Sequence, residues 1–117
     1  METCQRPWGT YAVIHSTDGH QVKTITVAAG HRLSYQTHAR RSEHWYVVSG
    51  TGLVTLDGAD IPVDANSSID VPVGAPHRIA NTGDVPLVFI EVQRGDYFGE
   101  DDIVRLDDDF GRTGQTA

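Results

Sequence analysis

The feature that most limits what this chain can become is the closeness of its turn signals. From residue 9 to residue 98 no helical repeat is sustained before Gly, Pro, Asn or Asp interrupts it. TYAVIHS, QVKTITVAAG, HWYVVSG, TGLVTLDG, SIDVPVG, HRIANTGD and PLVFIEVQRG succeed one another with few residues between. β-branched and aromatic side chains fill these segments, and such side chains suit a pleated, half-buried surface. STDGHQ and LDGAD carry Asp-Gly, the dipeptide that most readily takes positive φ at both central positions of a two-residue hairpin. The expectation is an all-β protein, a small antiparallel β-barrel or sandwich. One departure is expected late in the chain: GEDDIVRLDDDFG, with acids in its first turn, reads as a short helical turn near the C-terminus. GRTGQTA reads as a loose tail.

At 117 residues the chain suits one domain, 1–117, with one core. A net charge of −7 argues against nucleic acid as a partner, because phosphate backbones are gripped by clustered Lys and Arg. Residues 99–117 carry −4 of that charge, so the remainder is only mildly acidic. No apolar run approaches the roughly 20 residues of a membrane span, and METCQRPWGTY lacks a basic segment followed by an apolar one. Cys4 is the only cysteine and makes no internal disulfide. A soluble cytoplasmic protein with no membrane partner is expected. Its bases are Arg apart from Lys23. Arg suits two-pronged capture of carboxylate or phosphate, although compositional bias gives the same result.

One polar stretch stands out, QTHARRSEHW at 36–45. Residues two apart on a strand share a face, so Gln36 and His38 point the same way. After a turn Glu43 opens the next strand. Further on, Pro72, Gly74 and Pro76 shape a tight approach to His77, where another strand can begin and cross the same cavity. Two imidazole nitrogens and two oxygens, one anionic, suit zinc and would also accept cobalt, manganese, iron or nickel. The alternative is a set of solvated polar residues, and Gln is a less common ligand than His. Spacing alone leaves both readings open. His15, His20 and His31 stand beside turn signals and read as surface residues.

GHRLSYQTHARRSEHWYVVSG resembles the first cupin motif, G-x5-H-x-H-x4-E-x6-G, with Gly30, Gln36, His38, Glu43 and Gly50 in register and Gln36 where the first His usually stands. NSSIDVPVGAPHRIAN resembles the second, G-x5-P-x-G-x2-H-x3-N, through Pro72, Gly74, His77 and Asn81, with Asn66 in place of the leading Gly. The closer resemblance is to the type II mannose-6-phosphate isomerase domain of bifunctional guanylyltransferase/isomerase proteins. RPWGTY, LSYQTHARRSEHW, PHRIAN and IEVQRGDYFGEDDIVRLDDDFGR carry it, over residues 6–112. Tyr35 in place of Leu and Phe110 in place of Tyr are departures. No guanylyltransferase half is present, so no nucleotide activity is implied.

That resemblance implies a cupin barrel interconverting mannose 6-phosphate and fructose 6-phosphate with a divalent metal, zinc foremost, held by Gln36, His38, Glu43 and His77. Lys23 shares strand parity with Ile25 and Val27 and is a candidate acid/base, or else an edge lysine in solvent. Arg41 matches the Arg of the family's H-x-x-R-x-E-H-W stretch and is a candidate catalytic residue. Arg78, Arg105 and Arg112 are candidates for the substrate phosphate, Arg112 through the family's terminal Gly-Arg; each can instead pair with the acidic tail. Glu91 is a second barrel carboxylate or an ion-pair partner, and Trp8 and Trp45 read as packing. Two other functions fit the same ligands: a non-catalytic metal-binding cupin that takes a sugar or small ligand, and a metal-dependent oxygenase or cyclase. By analogy with cupins a homodimer is expected.

Overall fold

Eleven antiparallel strands organise residues 2–99 and 101–112, the part of the chain that this computed structural model describes. They are β1 (Thr3–Arg6), β2 (Gly9–Ser16), β3 (His20–Val27), β4 (Tyr35–Thr37), β5 (Arg41–Ser49), β6 (Gly52–Leu56), β7 (Ala59–Val63), β8 (Ser68–Val71), β9 (His77–Asn81), β10 (Leu87–Gly95) and β11 (Val104–Asp107). One sheet has the order β1-β2-β3-β10-β5-β8, and the other β11-β4-β9-β6-β7. Both Asp-Gly pairs lie in hairpin connections. At Asp57 and Gly58 the φ angles are 49° and 79°, positive at both central positions as such a turn requires. Among the described residues no helix is long and apolar enough to cross a membrane.

The expected helical turn does not form. Val104–Asp107 instead make β11, paired with β4 at the edge of the smaller sheet. The physical reason is visible in the burial: Ile103 and Arg105 are buried while Val104 and Leu106 are exposed, a period of two that a helix cannot present to one core. The unpaired edge of β4 offers backbone donors and acceptors that the segment satisfies. Glu100 and the tail, 113–117, lie outside the described residues.

What positions the site is a gradient along the inner face of the larger sheet. On β3, β5 and β10 the inward residues at one end are Ile25, Val27, Trp45, Val47, Leu87 and Phe89, and at the other Lys23, Arg41, Glu43, Glu91 and Gln93. The apolar end packs against Val54, Val63 and Ile79 of the smaller sheet. Each such side chain contributes about 1.5–3 kcal/mol when fully buried. Burying charged groups costs several kcal/mol apiece unless they are paired. The apolar half of the barrel therefore offsets what the polar half costs. At the apolar end the chain passes close to its neighbours: Gly50, just after β5, has a φ of 92°, and a Cβ there would lie 2.8 Å from the Pro86 carbonyl oxygen.

Candidate metal centre

At the polar end three ligand-type side chains converge from three places in the chain. His38 follows the end of β4, Glu43 points inward from β5, and His77 begins β9. All three are buried, and one donor atom from each lies within 4.8 Å of the others. His38 Nε2 is 3.4 Å from Glu43 Oε2, and His77 Nε2 is 3.7 Å from Glu43 Oε1. The two imidazole rings tilt against each other with centroids 5.0 Å apart.

Both rings are oriented through their other nitrogen. His38 Nδ1–H donates to the Asp102 carbonyl at 2.6 Å, and His77 Nδ1–H donates to the Ala75 carbonyl at 2.8 Å. A proton fixed on Nδ1 leaves a lone pair on Nε2, the arrangement typical of metal-ligating histidines. His77 Nε2 is buried and has no hydrogen-bond partner. An orphaned acceptor facing a second imidazole and a carboxylate fits a cation, so the donor set present can hold a divalent metal. Burial, and after it Arg41 and His77, push the His38 imidazole below its ordinary range against the opposing pull of Glu43 and of the Asp102 carbonyl.

Glu43 is fully enclosed, and burial alone would raise its pKa. The imidazoles of His77 and His38 and the Arg41 guanidinium outweigh that and hold it below the usual carboxylate range. Arg41 Nε reaches Glu43 Oε2 at 3.3 Å. Glu91 behaves oppositely: burial and the neighbouring Glu43 charge raise it well above the usual range, and Lys23 opposes them only in part. The pair therefore holds one proton, on Glu91, and one charge, on Glu43.

Gln36 lines the same cavity as His38 and Glu43. It is the β4 residue paired with His77 of β9, and its Oε1 accepts from Ser34 Oγ at 3.1 Å. Lys23 is buried on the inner face, with Nζ 4.5 Å from the centre of the Tyr11 ring. Arg41, Arg105 and Arg112 also line the cavity. Arg112 is held by Asp108 through two bonds of 2.8 and 3.1 Å.

Arg78 is placed elsewhere. It alternates with His77 along β9, so its side chain leaves on the opposite face, where Nε donates to the Leu33 carbonyl and Nη1 to Asp107. It does not line the cavity. Among the lining residues to which the sequence assigns no role are Arg6, Tyr11 and Gln93. Gln93 was legible through its parity with Glu91, two residues away on one strand. Arg6 and Tyr11 open and close RPWGTY, a stretch that carries the resemblance, but strand parity gives them no place in the cavity, because β1 and β2 reach it only through the sheet order. The charged lining is Arg6, Lys23, Arg41, Arg105 and Arg112 against Glu43 and Glu91, with Glu91 kept neutral. An acidic protein thus encloses a cationic cavity, which concentrates field on an anionic ligand.

Residues 1–108 match the family model described as mannose-6-phosphate isomerase C-terminal. The chain is 51% identical over 112 residues to the alginate biosynthesis protein AlgA of Pseudomonas aeruginosa, covering 96% of this chain and 23% of that protein. It is 50% identical over 107 residues to a mannose-1-phosphate guanylyltransferase of Escherichia coli K12, covering 92% of this chain and 22% of that protein. It therefore spans about a quarter of the length of these relatives. Among solved structures, the cupin domain of Schizosaccharomyces pombe Cnp3 superposes with a TM-score of 0.76 over 82% of this chain and 69% of that one, at 14% identity. That likeness is one of fold alone: the barrel has the cupin fold.

Proposed function

The chain belongs to the mannose-6-phosphate isomerase C-terminal family, and from that premise we propose that it is a metal-dependent aldose–ketose isomerase interconverting mannose 6-phosphate and fructose 6-phosphate. The observation that carries the reading is the orphaned His77 Nε2 beside His38 and Glu43, the latter two lining a cavity whose other charged groups are mostly cations. The hard step of such a reaction is loss of a proton from carbon next to a carbonyl, which places charge on oxygen. Gln36, His38, Glu43 and His77 would hold a divalent ion, zinc foremost, which would supply Lewis-acid stabilisation of that oxygen.

The remaining work falls to side chains. Lys23 Nζ, across the β3–β10 pairing from Glu91, carries the proton between the adjacent sugar carbons. Arg41 keeps Glu43 ionised through its 3.3 Å contact. Arg105 and Arg112 bind the phosphate, Arg112 held in place by Asp108. Trp8, Leu33 and Ile103 supply the apolar part of the lining and exclude water from the reacting end. Arg78, facing away, takes no part. The protein so described works in the cytoplasm, as a homodimer.

Proton NMR tests the reading: metal-stripped protein reloaded with Zn²⁺ or Co²⁺ is given mannose 6-phosphate in deuterated buffer, beside a His38→Ala control. Fructose 6-phosphate carrying deuterium, formed by the wild type alone, is expected. Stoichiometric metal without turnover would instead favour a metal-binding cupin. Oxygen consumption with bound iron would favour an oxygenase.

A further inference from the structure

We infer that Asp102 is a positioning residue for the metal site, joining the C-terminal wall of the cavity to His38. The inference rests on the reading of His38, Glu43 and His77 as ligands. Asp102 touches three consecutive residues. Its carbonyl accepts from His38 Nδ1 at 2.6 Å, its Oδ1 from the Ala39 backbone N–H at 3.0 Å, and its Oδ2 from the Arg40 backbone N–H at 3.0 Å. A carboxylate gripping two successive backbone N–H groups fixes the turn between β4 and β5, and hence the offset of His38 from Glu43. Charged acceptors make such bonds about twice as strong as neutral ones.

The two histidines are anchored differently. His77 leans on Ala75, two residues earlier in its own segment, whereas the carbonyl that orients His38 lies 64 residues away. The His77 tautomer is thus set locally, while that of His38 is set only when the C-terminal segment is docked. The same segment continues through Ile103 and Arg105, which line the cavity. Its loop is closed by the Asp102 N–H donating to Gly99 O at 3.1 Å, and Gly99 O also accepts from Arg41 Nη1 at 3.3 Å. Ligand orientation and cavity wall are one unit, with Asp102 at the joint.

The test compares the wild-type 117-residue chain with Asp102→Ala, Asp102→Asn and Asp109→Ala. The last breaks the exposed Arg32–Asp109 pair farther along the same segment without touching His38. Co²⁺ affinity is measured by competition with a chromophoric chelator, together with the visible spectrum of bound Co²⁺. Imidazole ¹⁵N shifts of the metal-free protein report the tautomer directly. Asp102→Ala is expected to weaken Co²⁺ binding about 10–100-fold, alter the Co²⁺ bands and mix the His38 tautomers. Asp102→Asn, which retains an acceptor oxygen, should lose less, and Asp109→Ala should leave all three readouts at wild-type values. A folded Asp102→Ala protein with unchanged affinity, bands and tautomer would overturn the inference alone, as would an equal loss in Asp109→Ala. Failure of the wild type to bind Co²⁺ would overturn the ligand reading as well.

Discussion

Glu43 and Glu91 are bracketed by the same two donors. Trp45 Nε1 reaches Glu43 Oε1 at 3.0 Å and Glu91 Oε2 at 3.1 Å; Gln93 Nε2 reaches Glu43 Oε2 at 3.3 Å and Glu91 Oε1 at 2.6 Å. Two carboxyl groups held this close do not both ionise, so one proton stays with the pair. Arg41 and the two imidazoles draw the charge to Glu43, leaving the proton on Glu91.

A pH dependence of stability follows. Glu91 has a raised folded pKa, so the folded state binds more protons than the unfolded chain as pH rises above about 4.3, the ordinary Glu value. Metal-free protein should lose stability as pH climbs through that interval. Melting temperatures measured from about pH 5 to about pH 9 should fall in the wild type relative to Glu91→Gln, in which the opposite contribution of the lowered His38 pKa remains. Parallel pH profiles for the two proteins would show that the pair holds no proton.

Trp45→Phe keeps the ring that packs on Phe89, with centroids 5.2 Å apart, but removes the shared N–H. Both buried carboxyl groups then lack one donor, and an unsatisfied buried group costs about 1–3 kcal/mol. Urea unfolding should register a loss of that size. Trp45→Phe as stable as wild type would mean that the bracket contributes nothing.

Removal of one ligand should dominate metal binding. His77→Ala is expected to weaken Co²⁺ or Zn²⁺ affinity by at least about 100-fold, about 2.8 kcal/mol, while His15→Ala, on the exposed end of β2, leaves it unchanged. Stripping the wild type with a chelator should abolish isomerisation, and returning the metal should restore it. Turnover that survives in thoroughly stripped protein would remove the metal from the reaction.

Arg112→Ala and Arg105→Ala separate phosphate binding from chemistry. Loss of a hydrogen bond to a charged group, about 1.5–3 kcal/mol, should raise KM for mannose 6-phosphate about 10–150-fold with a small change in kcat. Arg78→Ala, whose side chain faces away from the cavity, should leave KM unchanged and lower thermal stability. Saturation kinetics on the three variants decides between these assignments.

Much of the barrel was legible because strand signals are local. Period-two burial along HWYVVS and LVFIEV and the Asp-Gly hairpins follow from properties of neighbouring residues. The segment misread as a helical turn, GEDDIVRLDDDFG, shows the limit. Its acids gave a helix-start signal, but the deciding partner was the open edge of β4, about seventy residues earlier in the chain.

The sequence by itself determined the strand class, the alternation that turns Lys23, Glu43 and Glu91 inward, and the spacing of Gln36, His38, Glu43 and His77. Only the tertiary structure decided which of those inward groups meet. That depended on sheet order and register: Glu91 lies opposite Lys23 on one side and Trp45 on the other, Arg78 is turned away by its place on β9, and Asp102 is carried back to His38. Those relations are nonlocal hydrogen-bond pairings, and a pairing between distant strands leaves no mark on either strand alone.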